Sequence, residues 1–318
     1  RADLPAAILI CKCGIAAFGL TSGRLSKRVF YGHLWPSRNK RNPNLTFQTS
    51  FVPGTPRLAY DHSGEGPPVV FIHGIGGNKS NWHRQMEALA ERFSVHAWDA
   101  RGYHESDDYE GPLAFEDFSH DLCRFLDYLG VEKAHLLGLS MGARVLMDFH
   151  HFYASRIATL TLCDCFSSFG NTLSAEERAG FLRLRQEPLL AGKSFEDLAP
   201  DLVDSLLGPR ATPEVRQELM RSIHLLHKGS YLKTLEATQL FDRTAELKKM
   251  TMPVLLIYGG EDRLTPPKFG EKMVRDIPDA SMEVIEGAGH LSNLEEPGKF
   301  NRLIDAFFTE HASLASFR

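Results

Sequence analysis

Ala134-His135-Leu136-Leu137-Gly138-Leu139-Ser140-Met141-Gly142-Ala143-Arg144-Val145-Leu146-Met147-Asp148-Phe149-His150-His151-Phe152 is the stretch that decides the fold. Residues 134–137 are a short, mostly apolar run, as a strand buried on both faces requires. Residues 143–152 repeat apolar side chains at helical spacing. The five residues between them read Gly-x-Ser-x-Gly, which in a strand–turn–helix context predicts a sharp turn presenting Ser140 as a nucleophile. The glycines have a mechanical reason: side chains two residues either side of Ser140 would collide with the strained turn.

Working outward, similar apolar runs occur at residues 69–72, 95–98, 159–163, 254–258 and 282–285. Helical-period segments at 82–93 and 115–129 separate several of them. Alternating strands and helices predict a mostly parallel, eight-stranded sheet flanked by helices, an α/β fold. Residues 45–52 and 57–61, joined by Pro53-Gly54-Thr55-Pro56, predict an antiparallel hairpin ahead of it. The rhythm breaks after strand 6. Residues 166–250 contain no strand-like run but do show helical patterns at 176–185, 195–207, 213–226 and 230–241. A structureless loop of that length is improbable, so a helical cap inserted in the core is expected. The predicted organisation is an N-terminal arm of unassigned role (1–44), a core (45–165 and 251–318) and the cap (166–250).

A serine hydroxyl needs a base, and the base needs an orienting acid. His290, in Gly287-Ala288-Gly289-His290 after the last strand run, is the candidate base. Asp262, in the turn Gly259-Gly260-Glu261-Asp262 after another strand run, is the candidate acid, with Glu261 and Asp164 as alternatives. The order Ser140, Asp262, His290 is the one expected for a nucleophile on this kind of turn. The tetrahedral oxyanion requires two convergent N–H donors. These are expected from Met141 and from Ile75 in His73-Gly74-Ile75-Gly76-Gly77, with His73 bracing that loop. Gly74 and Arg144 are further candidates for substrate contact.

Composition narrows the function classes. At 43% hydrophobic and 24% charged residues over 318 positions, the chain has the make-up of a folded globular protein, not a disordered one. With 36 basic and 40 acidic residues there is no excess cation to neutralise phosphates, so no nucleic-acid partner is expected. The basic cluster from Arg24 to Arg41 reads as a solvated segment. The cysteines (Cys11, Cys13, Cys123, Cys163 and Cys165) are odd in number and do not suggest a disulfide scaffold. Cys163 and Cys165 are expected on one face of a strand, as small core residues. No run reaches the roughly 20 apolar residues of a membrane span; residues 4–20 come nearest, broken by Lys12. A cytoplasmic location is expected, and a homodimer is left open.

These motifs, together with Asp99-Ala100-Arg101-Gly102-Tyr103-His104-Glu105-Ser106, resemble the α/β-hydrolase superfamily from about residue 45 to 308. Within it, Leu160-Thr161-Leu162-Cys163-Asp164 and residues 237–257 resemble the branch of 3-oxoadipate enol-lactonases, meta-cleavage-product hydrolases and small carboxylesterases. Two departures stand out: Ala143 follows the elbow where the branch usually has glycine, and His104 replaces the second glycine of the usual Arg-Gly-x-Gly-x-Ser stretch. The resemblance implies a serine hydrolase of small ester or lactone substrates that forms an acyl-enzyme and needs no metal or organic cofactor. The alternative is carbon–carbon bond hydrolysis of a ring-fission substrate, which requires cations for a carboxylate; Arg144, Arg183 and Arg185 are candidates. A ligand receptor without turnover is the reading from another class.

Overall fold

The computed structural model describes residues 47–318. The arm, its two cysteines and its basic cluster lie outside the described residues. Eight strands form the main sheet: β1 (Gln48–Val52), β2 (Leu58–Ser63), β3 (Pro68–Ile72), β4 (Ser94–Trp98), β5 (Val131–Leu139), β6 (Ile157–Cys163), β7 (Val254–Gly259) and β8 (Ala280–Ile285). Their spatial order is β1-β2-β4-β3-β5-β6-β7-β8. The β1–β2 and β2–β4 pairings are antiparallel and the rest parallel, so the expected hairpin opens a mostly parallel sheet. A two-residue strand, β9 (Ser316–Phe317), adds antiparallel to the start of β5. Two residues carry no period, so nothing in the sequence announced it.

Burial follows position in the sheet. Every residue of β3, β4, β6 and β7 is buried, whereas edge strand β1 is mostly exposed and edge strand β8 mostly half-buried. Helices α1 (His83–Leu89), α2 (Glu116–Tyr128) and α3 (Met141–Tyr153) follow β3, β4 and β5. In α2 the stripe Phe118, Leu122, Phe125 and Leu126 is buried, the face its periodicity predicted.

Between β6 and β7 lie α4 (Phe169–Thr172), α5 (Ala175–Arg185), α6 (Glu187–Leu190), α7 (Phe195–Leu206), α8 (Pro213–His224) and α9 (Lys228–Gln239). Ser174 and Ser194 cap α5 and α7 in reciprocal boxes with Glu177 and Asp197, and Thr212 caps α8 ahead of Pro213. The two ends of the insertion meet: Phe169 N–H donates to the Phe241 carbonyl (3.0 Å) and Arg243 N–H to that of Ser167 (2.8 Å). The chain then completes α10 (Lys268–Asp276), α11 (Ser292–Glu295) and α12 (Pro297–Glu310). No described helix is long and apolar enough to cross a membrane.

One sequence expectation needs correction. Cys163 and Cys165 are both buried, but strand alternation does not relate them. β6 ends at Cys163, and Asp164 turns the chain with φ +47°.

Candidate active site

The sheet's connections change direction around β3, leaving a crevice at the carboxyl ends of the central strands. The candidate residues all follow carboxyl ends of parallel strands: the His73–Gly77 loop after β3, Ser140 after β5, Asp262 after β7 and His290 after the edge strand β8.

Ser140 is the N-cap of α3, with φ +54° and ψ −109°. Such a non-glycine conformation costs about 1–3 kcal/mol and persists only where its surroundings enforce it. A Cβ on Gly138 would come 2.4 Å from the Gly142 backbone, and one on Gly142 would come 2.2 Å from the Ile72 carbonyl oxygen. Both glycines are therefore steric requirements of the turn. The Ser140 N–H donates to the Cys163 carbonyl (2.8 Å), tying the elbow to β6.

Beside it runs the loop after β3. A Cβ on Gly74 would sit 3.4 Å from the Ser140 Cβ, so the loop backbone lies against the serine. The Ala100 N–H donates to His73 Nε2 (3.0 Å), which leaves the His73 Nδ1 proton for the Gly74 carbonyl (2.8 Å). Burial lowers the pKa of His73, so it braces the loop as a neutral ring. Ile75 lines the same cavity as Ser140. Met141 opens α3, so its N–H is among the first-turn donors with no intrahelical acceptor, and its side chain is buried against the Tyr103 hydroxyl.

The His290 Nδ1–H donates to Asp262 Oδ2 at 2.8 Å. Asp262 also accepts the N–H groups of Leu264 (2.8 Å) and Thr265 (3.0 Å) and the Thr265 hydroxyl. Burial pushes the Asp262 carboxyl up, but the His290 charge and these donors outweigh it, and its pKa ends below the usual carboxylate range. With Nδ1 committed to Asp262, Nε2 is the ring nitrogen left for a further partner. His290 and Ser140 line one cavity.

The two alternative acids are placed differently. Glu261 is exposed. Asp164 is buried; it accepts the Gly259 N–H (2.7 Å) and the Ser292 hydroxyl (2.8 Å) and makes no bond to His290. Burial and the nearby Asp262 charge push its pKa well above the usual range.

Arg144 is buried and is not among the cavity-lining residues; its guanidinium lies over Phe166 (5.2 Å) and Phe241 (5.9 Å). Arg183 is exposed, whereas Arg185 lines the cavity. Much of the wall comes from inserted helices, through Phe181, Leu202, Leu206, Leu219, Ile223 and Tyr231. Sequence reasoning did not single these out: periodicity marks an apolar face but not what that face covers. Away from the cavity, Asp99, His104 and Glu105 bring ligand atoms within 4.8 Å of one another. The Lys79 ammonium occupies that cluster, donating to Asp99 (3.0 Å) and Glu105, and so supplies its positive charge. His104 adopts φ +47° there, a left-handed turn that explains why glycine is usual at this position.

A family model described as "alpha/beta hydrolase fold" matches residues 67–297. The 3-oxoadipate enol-lactonase 2 of Acinetobacter baylyi is 24% identical over 241 residues, covering 76% of this chain and 88% of its own. A putative carbamate hydrolase, RutD, of Azorhizobium caulinodans is 28% identical over 267 residues, covering 81% and 97%. Among solved structures, a thermophilic esterase from Thermogutta terrifontis (malate bound) superposes with a TM-score of 0.74 at 29% identity, covering 84% of this chain and all of that one.

Proposed function

The chain belongs to the alpha/beta hydrolase fold family and is a hydrolase of that family; from that premise we propose that it cleaves carboxylic ester or lactone bonds of small substrates through Ser140, His290 and Asp262. His290 Nε2 takes the Ser140 proton as the hydroxyl oxygen attacks the carbonyl carbon. The Ile75 and Met141 N–H groups hold the resulting oxyanion. His290 then gives the proton to the leaving alkoxide, and the acyl group stays on Ser140. A water, deprotonated by the same nitrogen, releases the acid and restores the serine. The scheme uses no metal and no organic cofactor.

The observation that carries this reading is the 2.8 Å His290–Asp262 hydrogen bond beside a cavity that Ser140 and His290 both line. Residues 166–250 act as a cap over the site, and their apolar side chains form much of the pocket wall. The test is a panel of aryl and alkyl esters of graded chain length, lactones and a ring-fission substrate. Ser140→Ala is expected to lower kcat on any substrate accepted by roughly a million-fold. A fluorophosphonate probe is expected to label the wild type and not the variant. Full turnover by Ser140→Ala would overturn the reading, and turnover confined to the ring-fission substrate would move it to carbon–carbon bond hydrolysis.

A further inference from the structure

A network of buried amides borders the cavity, and one of its oxygens is left without a donor. Ser222 of α8 accepts the Nδ2 groups of Asn78 (3.3 Å) and Asn81 (3.0 Å). Asn81 Oδ1 accepts the Asn78 N–H (3.0 Å), and the Asn81 carbonyl accepts Asn293 Nδ2 (3.0 Å). Gln85 Nε2 donates to the Asn293 carbonyl (3.0 Å) and to Asn301 Oδ1 (2.8 Å). These bonds fix which way the Asn293 amide faces. A backbone carbonyl only accepts, so the nitrogen of that amide, and not its oxygen, meets Asn81. Gln85 asks for the same orientation: its Nε2 is committed, and its Oε1 lies 3.5 Å from Asn293 Nδ2. Asn293 Oδ1 is thereby turned away from the network, and it is buried with no hydrogen-bond partner.

The place of this oxygen gives it a use. Asn293 is only 1% exposed, belongs to α11 just after His290, and lines the cavity that Ser140 and His290 share. A buried acceptor without a donor carries a desolvation penalty, and a bound molecule that supplies the donor relieves it. The charge of that donor is also constrained. No Asp or Glu lines the cavity, whereas Arg185 does, so a cationic donor meets repulsion there and a neutral one does not. An ester or lactone group has no donor of its own, so the O–H or N–H must stand elsewhere in the substrate.

We infer that Asn293 Oδ1 is a substrate-binding acceptor that takes a neutral hydroxyl or amide N–H carried outside the bond that is cut. The favoured substrates are then esters or lactones with one such group on an otherwise apolar frame, which suits the leucine-rich wall of the inserted helices. A pocket that hydrogen-bonds a substrate hydroxyl discriminates against the analogue lacking it far better than an apolar pocket discriminates by size. This rests on the hydrolase reading for which bond is cut, but the acceptor itself can be read without turnover.

The test uses 4-nitrophenyl hexanoates with a hydroxyl near, midway along or at the end of the acyl chain, and hexanoate monoesters of diols of graded length. Each is paired with its methyl ether and assayed with wild type, Asn293→Leu and Gln85→Leu. At one position or more, wild type is expected to favour the free hydroxyl by about tenfold or more in kcat/KM. Asn293→Leu is expected to bring that ratio to about one. Gln85→Leu removes a supporting bond but leaves the acceptor, so it is expected to lower the melting temperature and keep the preference. In parallel, hexanamide is expected to raise the melting temperature of Ser140→Ala more than N,N-dimethylhexanamide, which has no donor. Ser140→Ala/Asn293→Leu is expected to lose that difference. If no ester is cleaved but the difference between the amides depends on Asn293, the acceptor stands and the serine hydrolase reading falls. Esters cleaved with no hydroxyl preference, or with one that Asn293→Leu keeps, overturn the acceptor and leave the hydrolase reading standing. Equal shifts from the two amides overturn the acceptor as well, whether or not Asn293→Leu folds.

Discussion

Asp164 and Asp262 lie close enough to interact, and their carboxyls shift in opposite directions. Asp262 keeps its charge because His290 and the Thr265 donors face it, and its pKa is lowered. Asp164 is buried deeper, away from His290, and its pKa is raised. Two variants separate them. Asp262→Asn is expected to lower kcat by about 10⁴-fold, since the amide favours the wrong tautomer of the histidine. Asp164→Asn is expected to stay within about tenfold of wild type, since an amide can keep the shape of the bridge from Gly259 to Ser292. Equal losses in both would make Asp164 part of the charge relay. Stability should diverge with pH as well. A lowered carboxyl contributes above the unfolded pKa, and its contribution is lost as pH falls through the folded one, so the cost of Asp262→Asn should shrink in acid. A raised carboxyl contributes below the unfolded pKa, and its contribution is lost as pH rises through the folded one, so Asp164→Asn should gain on wild type from about pH 4 upward. Urea titrations between pH 3 and 8 read both trends; parallel curves would refute the assignment. The sequence could nominate both aspartates, because each follows a strand. The turn after β7 put Asp262 ahead, but spacing could not say which carboxylate the β8 loop brings His290 against.

Among the secondary elements, the inserted helices do more than cover the cavity. The carbonyl of Leu206, last residue of α7, accepts the His290 N–H at 2.8 Å. Two residues on, the Gly208 N–H donates to Glu295 (2.8 Å), whose other oxygen takes the Gly289 N–H at 3.0 Å. Glu295 thus clamps the end of α7 to the loop carrying His290. Glu295→Ala would leave both N–H groups without this acceptor, a penalty of about 1–3 kcal/mol for the buried Gly289 N–H before relaxation and less for the half-buried Gly208. It is expected to lower kcat more than it raises KM, and to alter the pH profile of kcat through a displaced His290. By contrast, Ser194→Ala removes the cap at the far end of α7 and is expected to cost about 1 kcal/mol of stability with kcat preserved. Equal kcat losses in the two variants would show that α7 as a whole, not the clamp, positions the base. The main helices of the insertion were legible from their helical patterns. The single turns α4 and α6 were not, since one turn gives no period. In α5 the pattern misleads: Leu182 and Leu184 are half-buried while Phe181 and Arg185 are buried, on the face that lines the cavity.

At the scale of the whole molecule, the sheet order gathers the elbow, the loop after β3, Asp262 and His290 from distant parts of the chain. Spacing alone cannot supply that order, because it does not say that β3 lies between β4 and β5. The same wiring ties the insertion into the core. At its neck, Arg243 is paired with the buried Asp148 of α3 (2.6 Å), which also accepts the Ser119 hydroxyl of α2 (2.6 Å). Further out, Tyr103 bridges to Leu226, and Ser230 donates to Asp108. Links spread this widely predict that insertion and core unfold as one cooperative unit. Tryptophan placement makes this measurable. The chain has three tryptophans, Trp35, Trp82 and Trp98, and none falls in residues 166–250. Trp82 and Trp98 are buried in the core, so their fluorescence follows the core, while far-ultraviolet circular dichroism also weighs the inserted helices. Coincident wild-type midpoints are expected in urea. Asp148→Ala breaks the neck pair and strands a cation, so its dichroism transition should begin before its fluorescence transition. Separate wild-type transitions would instead mean that the insertion opens on its own, and the links to the core would then be too weak to hold the base in place.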